Sequence, residues 1–347
     1  MTGTNGLEKE EIKDVKQIQM MLKSNESEKR FQAILLLLQN DFPETNDILQ
    51  SVVLNDTQVS VRELALISLI NLNPHNIMFT LKKLYNNLTE TKEIRARTIW
   101  GLSQIKTEEA FEFLKIALTD KTEEVLYWAI VGSTSFESFP EVLPEIRKLL
   151  ADSRQSLIRQ TAAWILGACR DGGAKDILEK QLLQDTHPSV RLLCASALIK
   201  LDDISSISIL SKALQKDANE LPRREIAYAI GVILDFQKTG LQNLENHKLQ
   251  DIKTHAVRSL SKALLRDQSY IVRRICAESL GKINDKSAVK NLISAMSMDT
   301  NQFVRCEIAR TLGILGDASA IEILKKASRS QYRRIVEAAN EALQQIQ

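Results

Sequence analysis

Aromatic residues make up only 5% of this sequence, and glycine occurs 12 times in 347 positions. Strands favour aromatic side chains and their turns favour glycine, so this scarcity argues against a β-rich fold. The four cysteines, Cys169, Cys194, Cys276 and Cys306, are too far apart for Cys-x-x-Cys chemistry, which leaves no metal site or disulfide framework to expect. No stretch approaches about 18 consecutive apolar residues, the length a membrane-spanning helix needs. The opening residues, MTGTNGLEKEEIKD, lack the apolar centre of a signal peptide, and a cytoplasmic location is the expectation. Neither sign of charge dominates: 46 basic against 44 acidic residues leave a net charge of +2. That balance gives no electrostatic case for a nucleic-acid or membrane partner.

What the sequence does have is one helix written ten times. Its cleanest copy is Ile271–Ile283, IVRRICAESLGKI. With Arg273 as position zero, Val272 stands at −1, Cys276 and Ala277 at +3 and +4, Leu280 and Gly281 at +7 and +8, and Ile283 at +10. At about 100° per residue these apolar and small side chains share one face, while +1, +2, +5 and +9 point away from it. The template returns at Arg30, Arg62, Arg95, Leu126, Arg159, Arg191, Arg223, Arg305 and Val336, in steps of 32, 33, 31, 33, 32, 32, 50, 32 and 31 residues. So regular a period predicts an all-α, right-handed solenoid of about ten helix pairs, because each pair can bury its apolar face only against its neighbours.

Each unit then reads as outer helix, turn, inner helix, turn. Residues 1–9 are expected to be disordered and 10–347 to form a single solenoid, opening with an outer helix at Glu10–Lys23 and its inner partner at Glu28–Asn40. The 50-residue step places 18 extra residues at about 236–253, an insertion read either as a tolerated loop or as a docking flap. An aspartate recurs before the inner helix at Asp56, Asp120, Asp152, Asp185, Asp217, Asp267 and Asp299; all but Asp152 lie six residues ahead of position zero. Such an aspartate caps backbone N–H groups, and the arginine at zero bonds it or its counterpart in the next repeat, giving a ladder along the stack. Asp171-Gly172-Gly173, Asn284-Asp285 and Gly316-Asp317 supply the chain reversals. By register Cys169, Cys194 and Cys276 are core residues, and Cys306 at +1 is exposed.

The pattern Val-Arg, two residues, two small residues, two residues, Leu-Gly, as in IVRRICAESLG, FVRCEIARTLG and LIRQTAAWILG, resembles the short HEAT-like repeat of bilin-lyase subunits of phycobilisome biogenesis, a repeat shared with many scaffolding proteins. The resemblance covers residues 10–347 and carries the fold. It also implies two candidate activities that the residues can be checked against. Diiron hydroxylases built on such repeats need His-Glu pairs, whereas the histidines here are followed by Asn76, Pro188, Lys248 and Ala256. A bilin-handling protein would hold a phycobilin as bound substrate, with phycobiliprotein as partner; otherwise no cofactor is expected. No phosphate loop, GxSxG elbow or HExxH motif occurs, so no catalytic or metal-binding residue is assigned, and enzymatic activity stays open.

One feature exceeds what the repeat needs. Position +5, opposite the core, carries Leu35, Ile67, Trp100, Val131, Trp164, Ser196, Tyr228, Glu278, Arg310 and Glu341 in order; +1 adds Tyr127, and +2 adds Trp128 and Leu193. All three tryptophans fall on this face. Inner helices line the concave side of a solenoid, so Ile67, Trp100, Tyr127, Trp128, Trp164, Leu193 and Tyr228 are the candidate groove for a protein or peptide partner. At about one repeat apart, the three indoles would span on the order of 20 Å. The bland alternative is that Trp100 and Trp164 fold sideways between adjacent helices.

Overall fold

The fold is described from a computed structural model, covering residues 14–40, 42–72, 77–87, 89–235, 237 and 246–346. The chain divides into two compact units, residues 1–146 and 147–347. Unit one holds α1 (Val15–Leu22), α2 (Ser27–Gln39), α3 (Thr45–Asn55), α4 (Val59–Leu72), α5 (Met78–Asn86), α6 (Lys92–Ile105), α7 (Glu108–Ala117) and α8 (Glu123–Ser133). Unit two begins within α9 (Leu143–Asp152) and continues through α10 (Ser156–Ala168), α11 (Lys175–Gln184), α12 (Pro188–Leu201), α13 (Ile207–Lys216) and α14 (Glu220–Ile233). It ends with α15 (Asn246–Arg266), α16 (Tyr270–Ile283), α17 (Val289–Met298), α18 (Gln302–Leu315), α19 (Ile321–Ala327) and α20 (Arg333–Ile346). Even-numbered helices are the inner copies; each packs on the next inner helix of its unit and, α10 apart, on its outer partner. Both units are therefore two-layered helical stacks. The expected disorder of residues 1–9 falls outside the described residues.

The core is the face that the repeat template specifies. In α16, Val272, Cys276, Ala277, Leu280 and Ile283 are fully buried, each larger aliphatic side chain contributing roughly 1.5–3 kcal/mol. The glycine at +8 sets how closely inner helices approach. A Cβ added at Gly167 would lie 2.6 Å from the Cα of Ala197, so α10 and α12 meet backbone to backbone there. Turns follow the capping rules. Asn284 and Gly316 end α16 and α18 in the left-handed region, at φ of 53° and 58°, and Asp285 and Asp317 accept the N–H two residues on, from Ser287 and Ser319.

The arginines form a ladder. Arg159 donates from Nε and a terminal nitrogen to both oxygens of Asp185, in the next repeat, at 2.6 and 2.8 Å. Its other nitrogen bonds the carbonyls of Ser153 and Arg154 in its own turn. Arg191–Asp217, Arg223–Asp267 and Arg273–Asp299 repeat the fork, as does Arg30–Asp56 in unit one. Asp56, Asp185, Asp217 and Asp267 are thus used twice: each carboxylate serves the preceding repeat's arginine, while the main-chain carbonyl accepts from the arginine of its own repeat, as Asp185 does from Arg191 at 2.8 Å. Burial by itself raises Asp185, but the Arg159 fork and the His187 N–H outweigh it and hold its carboxyl below the usual range. Asp56 is lowered against the same opposition, by Arg30 and the Gln58 N–H.

Three expectations are corrected. The left-handed residue between α10 and the next turn is Arg170, at φ 52°, ahead of Gly172 and Gly173. Its N–H reaches the Gly167 carbonyl while Asp171 N–H reaches that of Leu166, both at 3.0 Å, a closure that needs no glycine. That early stop puts Cys169 just beyond the helix and makes it exposed rather than core. Cys306, expected to be exposed, is buried: α20 packs over it, and its Sγ lies 3.5 Å from the Arg334 carbonyl. Of the 18-residue insertion, 246–253 form the first turns of α15, while 236 and 238–245 lie outside the described residues.

Candidate binding face

Position +5 and its neighbours emerge on the inner helices as the heptad geometry requires, and the units are best taken separately. In unit one, Ile67 on α4 is half-buried. Trp100 on α6 and Trp128 on α8 are also half-buried and lean on each other, with ring centroids 6.4 Å apart at 57°. Tyr127 meets Trp128 edge to face at 5.3 Å and 80°. The spacing is shorter than the expected one-repeat step because +5 of one helix and +2 of the next tilt together. Aromatic pairs in this range are mutually favourable beyond their burial, by about 0.5–1.5 kcal/mol. Phe31 and Leu35 on α2 are further exposed apolar side chains of this unit.

In unit two, Trp164 on α10 is 55% exposed, so it does not fold sideways into its stack. Leu193 on α12 is half-buried, and Tyr228 on α14 carries the Lys282 ammonium 4.4 Å above its ring. Further along, the face turns charged. A cavity of about 600 Å³ is lined by Tyr270, Phe303, Cys306, Glu307, Arg310 and Arg334, among others. The Tyr270 and Phe303 rings lie 6.4 Å apart at 30°, and Arg334 stands 5.8 Å over Phe303. Burial pushes the Glu307 carboxyl up, and Glu278 adds to the rise, while Arg310, 3.5 Å away, and Arg274 oppose it. Positions +1, +2 and +5 supply Arg274, Cys306, Glu307, Arg310 and Glu341 of this lining but not its rings, because Tyr270 stands at −3 and Phe303 at −2. The signal was available, since −2 lies seven residues before +5 and so on the same face.

Among the described residues no three His, Cys, Asp or Glu side chains gather as a metal site requires. No helix among them is long and apolar enough to cross a membrane. The acidic pairs Glu108-Glu109 and Glu123-Glu124 occupy the first turns of α7 and α8, where helix dipoles favour them; Glu124 pairs with Lys92 at 2.6 Å.

Comparison with known proteins agrees with this geometry. The family model described as HEAT repeats matches residues 80–167, 143–231 and 253–344. Among curated proteins none matches the sequence. Among solved structures, importin beta superposes with a TM-score of 0.63 at 14% identity, over 96% of this chain and 52% of that one. Kap121p, solved bound to Nup53p, gives 0.60 at 12% identity, over 96% of this chain and 41% of that one. An engineered protein gives 0.53 at 20% identity, over 95% of this chain and 98% of that one. At such identities the likeness is one of fold.

Proposed function

Because the chain belongs to the HEAT-repeat family, we propose that it is a non-enzymatic scaffold or adaptor that binds a protein or peptide on the aromatic face of its inner helices. One observation carries the reading: Trp100, Tyr127 and Trp128 form a contiguous ring cluster on positions that the repeat does not need for its core. All three rings are half-buried, and the part left in water is apolar surface of the kind that dominates interface energetics. The structural neighbour Kap121p, solved with Nup53p bound, lends support to a protein as the kind of partner. Trp164, Leu193 and Tyr228 are the corresponding apolar side chains of unit two.

The test uses a peptide selected by display against the intact chain. Trp128→Ala with Trp164→Ala should weaken its binding at least about thirtyfold, the cost of losing a buried interface aromatic. Trp164→Ala alone should leave the melting temperature unchanged. Normal binding by the double variant would reject this face as the site. Handling of an open-chain tetrapyrrole rests on the repeat's resemblance alone. Mixing the protein with phycocyanobilin separates the two readings, since only a bilin-binding protein should red-shift the pigment's visible band.

A further inference from the structure

The near-neutral net charge is an average, and the outer helices of unit two depart from it. Counted back from the turn aspartates Asp185, Asp217 and Asp267, the fifth residue is lysine in three successive outer helices: Lys180, Lys212 and Lys262. The residue directly before the aspartate is Lys216 in α13 and Arg266 in α15, and Arg258 stands one turn before Lys262. All six are exposed. Among the described residues none of them has a carboxylate within ion-pair distance, although most other charged side chains on the inner faces are paired. The helices are neighbours, α13 packing on α11 and on α15. The cations therefore form a lattice with steps of about 10 Å between helices and about 6 Å along α15.

Little on this surface cancels the charge. Helix α13 has no acidic residue; α15 has one, Asp251, roughly 16 Å from Lys262 along the axis. On α11, Asp176 is exposed, and Glu179 accepts from the Ser206 hydroxyl. The turn carboxylates Asp217 and Asp267 face inward, each held in a two-bond fork by Arg191 and Arg223. They also wall a cavity of about 370 Å³ that opens between Gln215, Lys262 and Arg266.

We propose that this outer face binds the phosphate backbone of duplex nucleic acid without reading its sequence. A lattice of unpaired cations calls for a ligand of dense, repeating negative charge, and a duplex presents one charge per about 1.7 Å of its axis. Among the described residues the face has no exposed Phe, Tyr, Trp or large aliphatic side chain on α11, α13 or α15. It therefore lacks the stacking platforms that hold single strands, the apolar wedge that anchors a helix in a lipid interface, and the anchors of a protein hot spot. What is left is contact with backbone phosphates, which positions a ligand and carries no sequence information.

The test is fluorescence anisotropy of the full chain with a labelled duplex of about 20 base pairs at about 50 mM salt. Binding should be detectable, equal for scrambled sequences, and should fall with salt with a log–log slope steeper than about −3. Lys212→Glu with Lys262→Glu should weaken it at least tenfold with an unchanged circular dichroism melt, both side chains being exposed. Arg310→Glu on the inner face, and the tryptophan variants above, should leave it unaltered, so this surface and the aromatic face succeed or fail independently. Absence of duplex binding, an unaffected double variant, or tighter binding to phosphatidylserine vesicles or polyglutamate would each overturn the proposal.

Discussion

The two units write the same helix pair with different strictness. In unit two, Arg159, Arg191, Arg223 and Arg273 each grip the next repeat's aspartate through two nitrogens. In unit one only Arg30 does so. Arg62 reaches Glu90 through a single nitrogen, at 2.6 Å, and Arg95 reaches Asp120 through one; the Nε of both is buried without a partner. Leu126 takes the arginine's place in α8 and so offers no guanidinium at all. Packing is uneven as well, although not by unit, since a Cβ at Gly281 in unit two would meet nothing closer than 3.4 Å. A Cβ at Gly101 in unit one would meet the terminal Cδ1 of Ile70 at 2.7 Å, which can swing aside, whereas at Gly167 it meets backbone. A solenoid tolerates such unevenness because each rung and each helix contact involves only adjacent repeats.

The largest difference should come from deleting one acid in each unit. Asp185→Ala leaves the buried Arg159 guanidinium without its fork and should cost about 3 kcal/mol in a denaturant titration. Glu90→Ala removes the single bond to Arg62, together with a local one from the Thr91 N–H, and should cost about 1 kcal/mol. Equal losses would mean that the fork adds nothing over a single contact. Acid gives a second view of the same rung. The folded carboxyl of Asp185 titrates below its unfolded value of about 3.9, so its contribution is complete above that pH and is lost as pH falls through the folded value. The melting temperature should drop below about pH 4, and Asp185→Asn should lose less than the parent over that window.

A smaller effect is expected from the glycines. Gly167→Ala forces α10 and α12 apart and should destabilise by about 2 kcal/mol despite alanine's better helix propensity. Gly101→Ala should be close to neutral, because the propensity gain offsets a shift of the Ile70 side chain. Chemical denaturation of the two variants side by side decides it.

The smallest effect is a gain. Arg305 continues the ladder, but its Nε is buried without a partner. The position 26 residues on, where the other rungs of unit two without an insertion carry aspartate, is Gln331. Gln331→Asp should add a rung and stabilise the chain by about 1 kcal/mol. No change would show that the turn before α20 holds its side chain out of reach.

Much of this was legible in the sequence, because a helix that buries one face against its copies must repeat its small and apolar residues with its own period. The ten inner helices, the core positions and the recurrence of an aspartate with each ladder arginine follow from spacing alone. The partner of each arginine did not, since the acid of its own turn and that of the next repeat are equally close in register. Only the stacking distance chose the second. The cysteines make the same point. Register put Cys194 and Cys276 in the core, where both are buried. Cys169 escaped because its helix stopped at Ala168, and Cys306 was covered because α20 lies over it.

The binding face divides along the same line. Which residues leave the core is a matter of angle along one helix, and the sequence alone determined that the three tryptophans do. That Trp100 leans on Trp128 while Trp164 stands free, and that lysines far apart in the chain line up across three outer helices, was decided by tertiary structure. Periodicity fixes where a side chain points from its own helix axis; its neighbours are set by how closely and in what register separate helices pack, and that depends on contacts between residues about thirty positions apart.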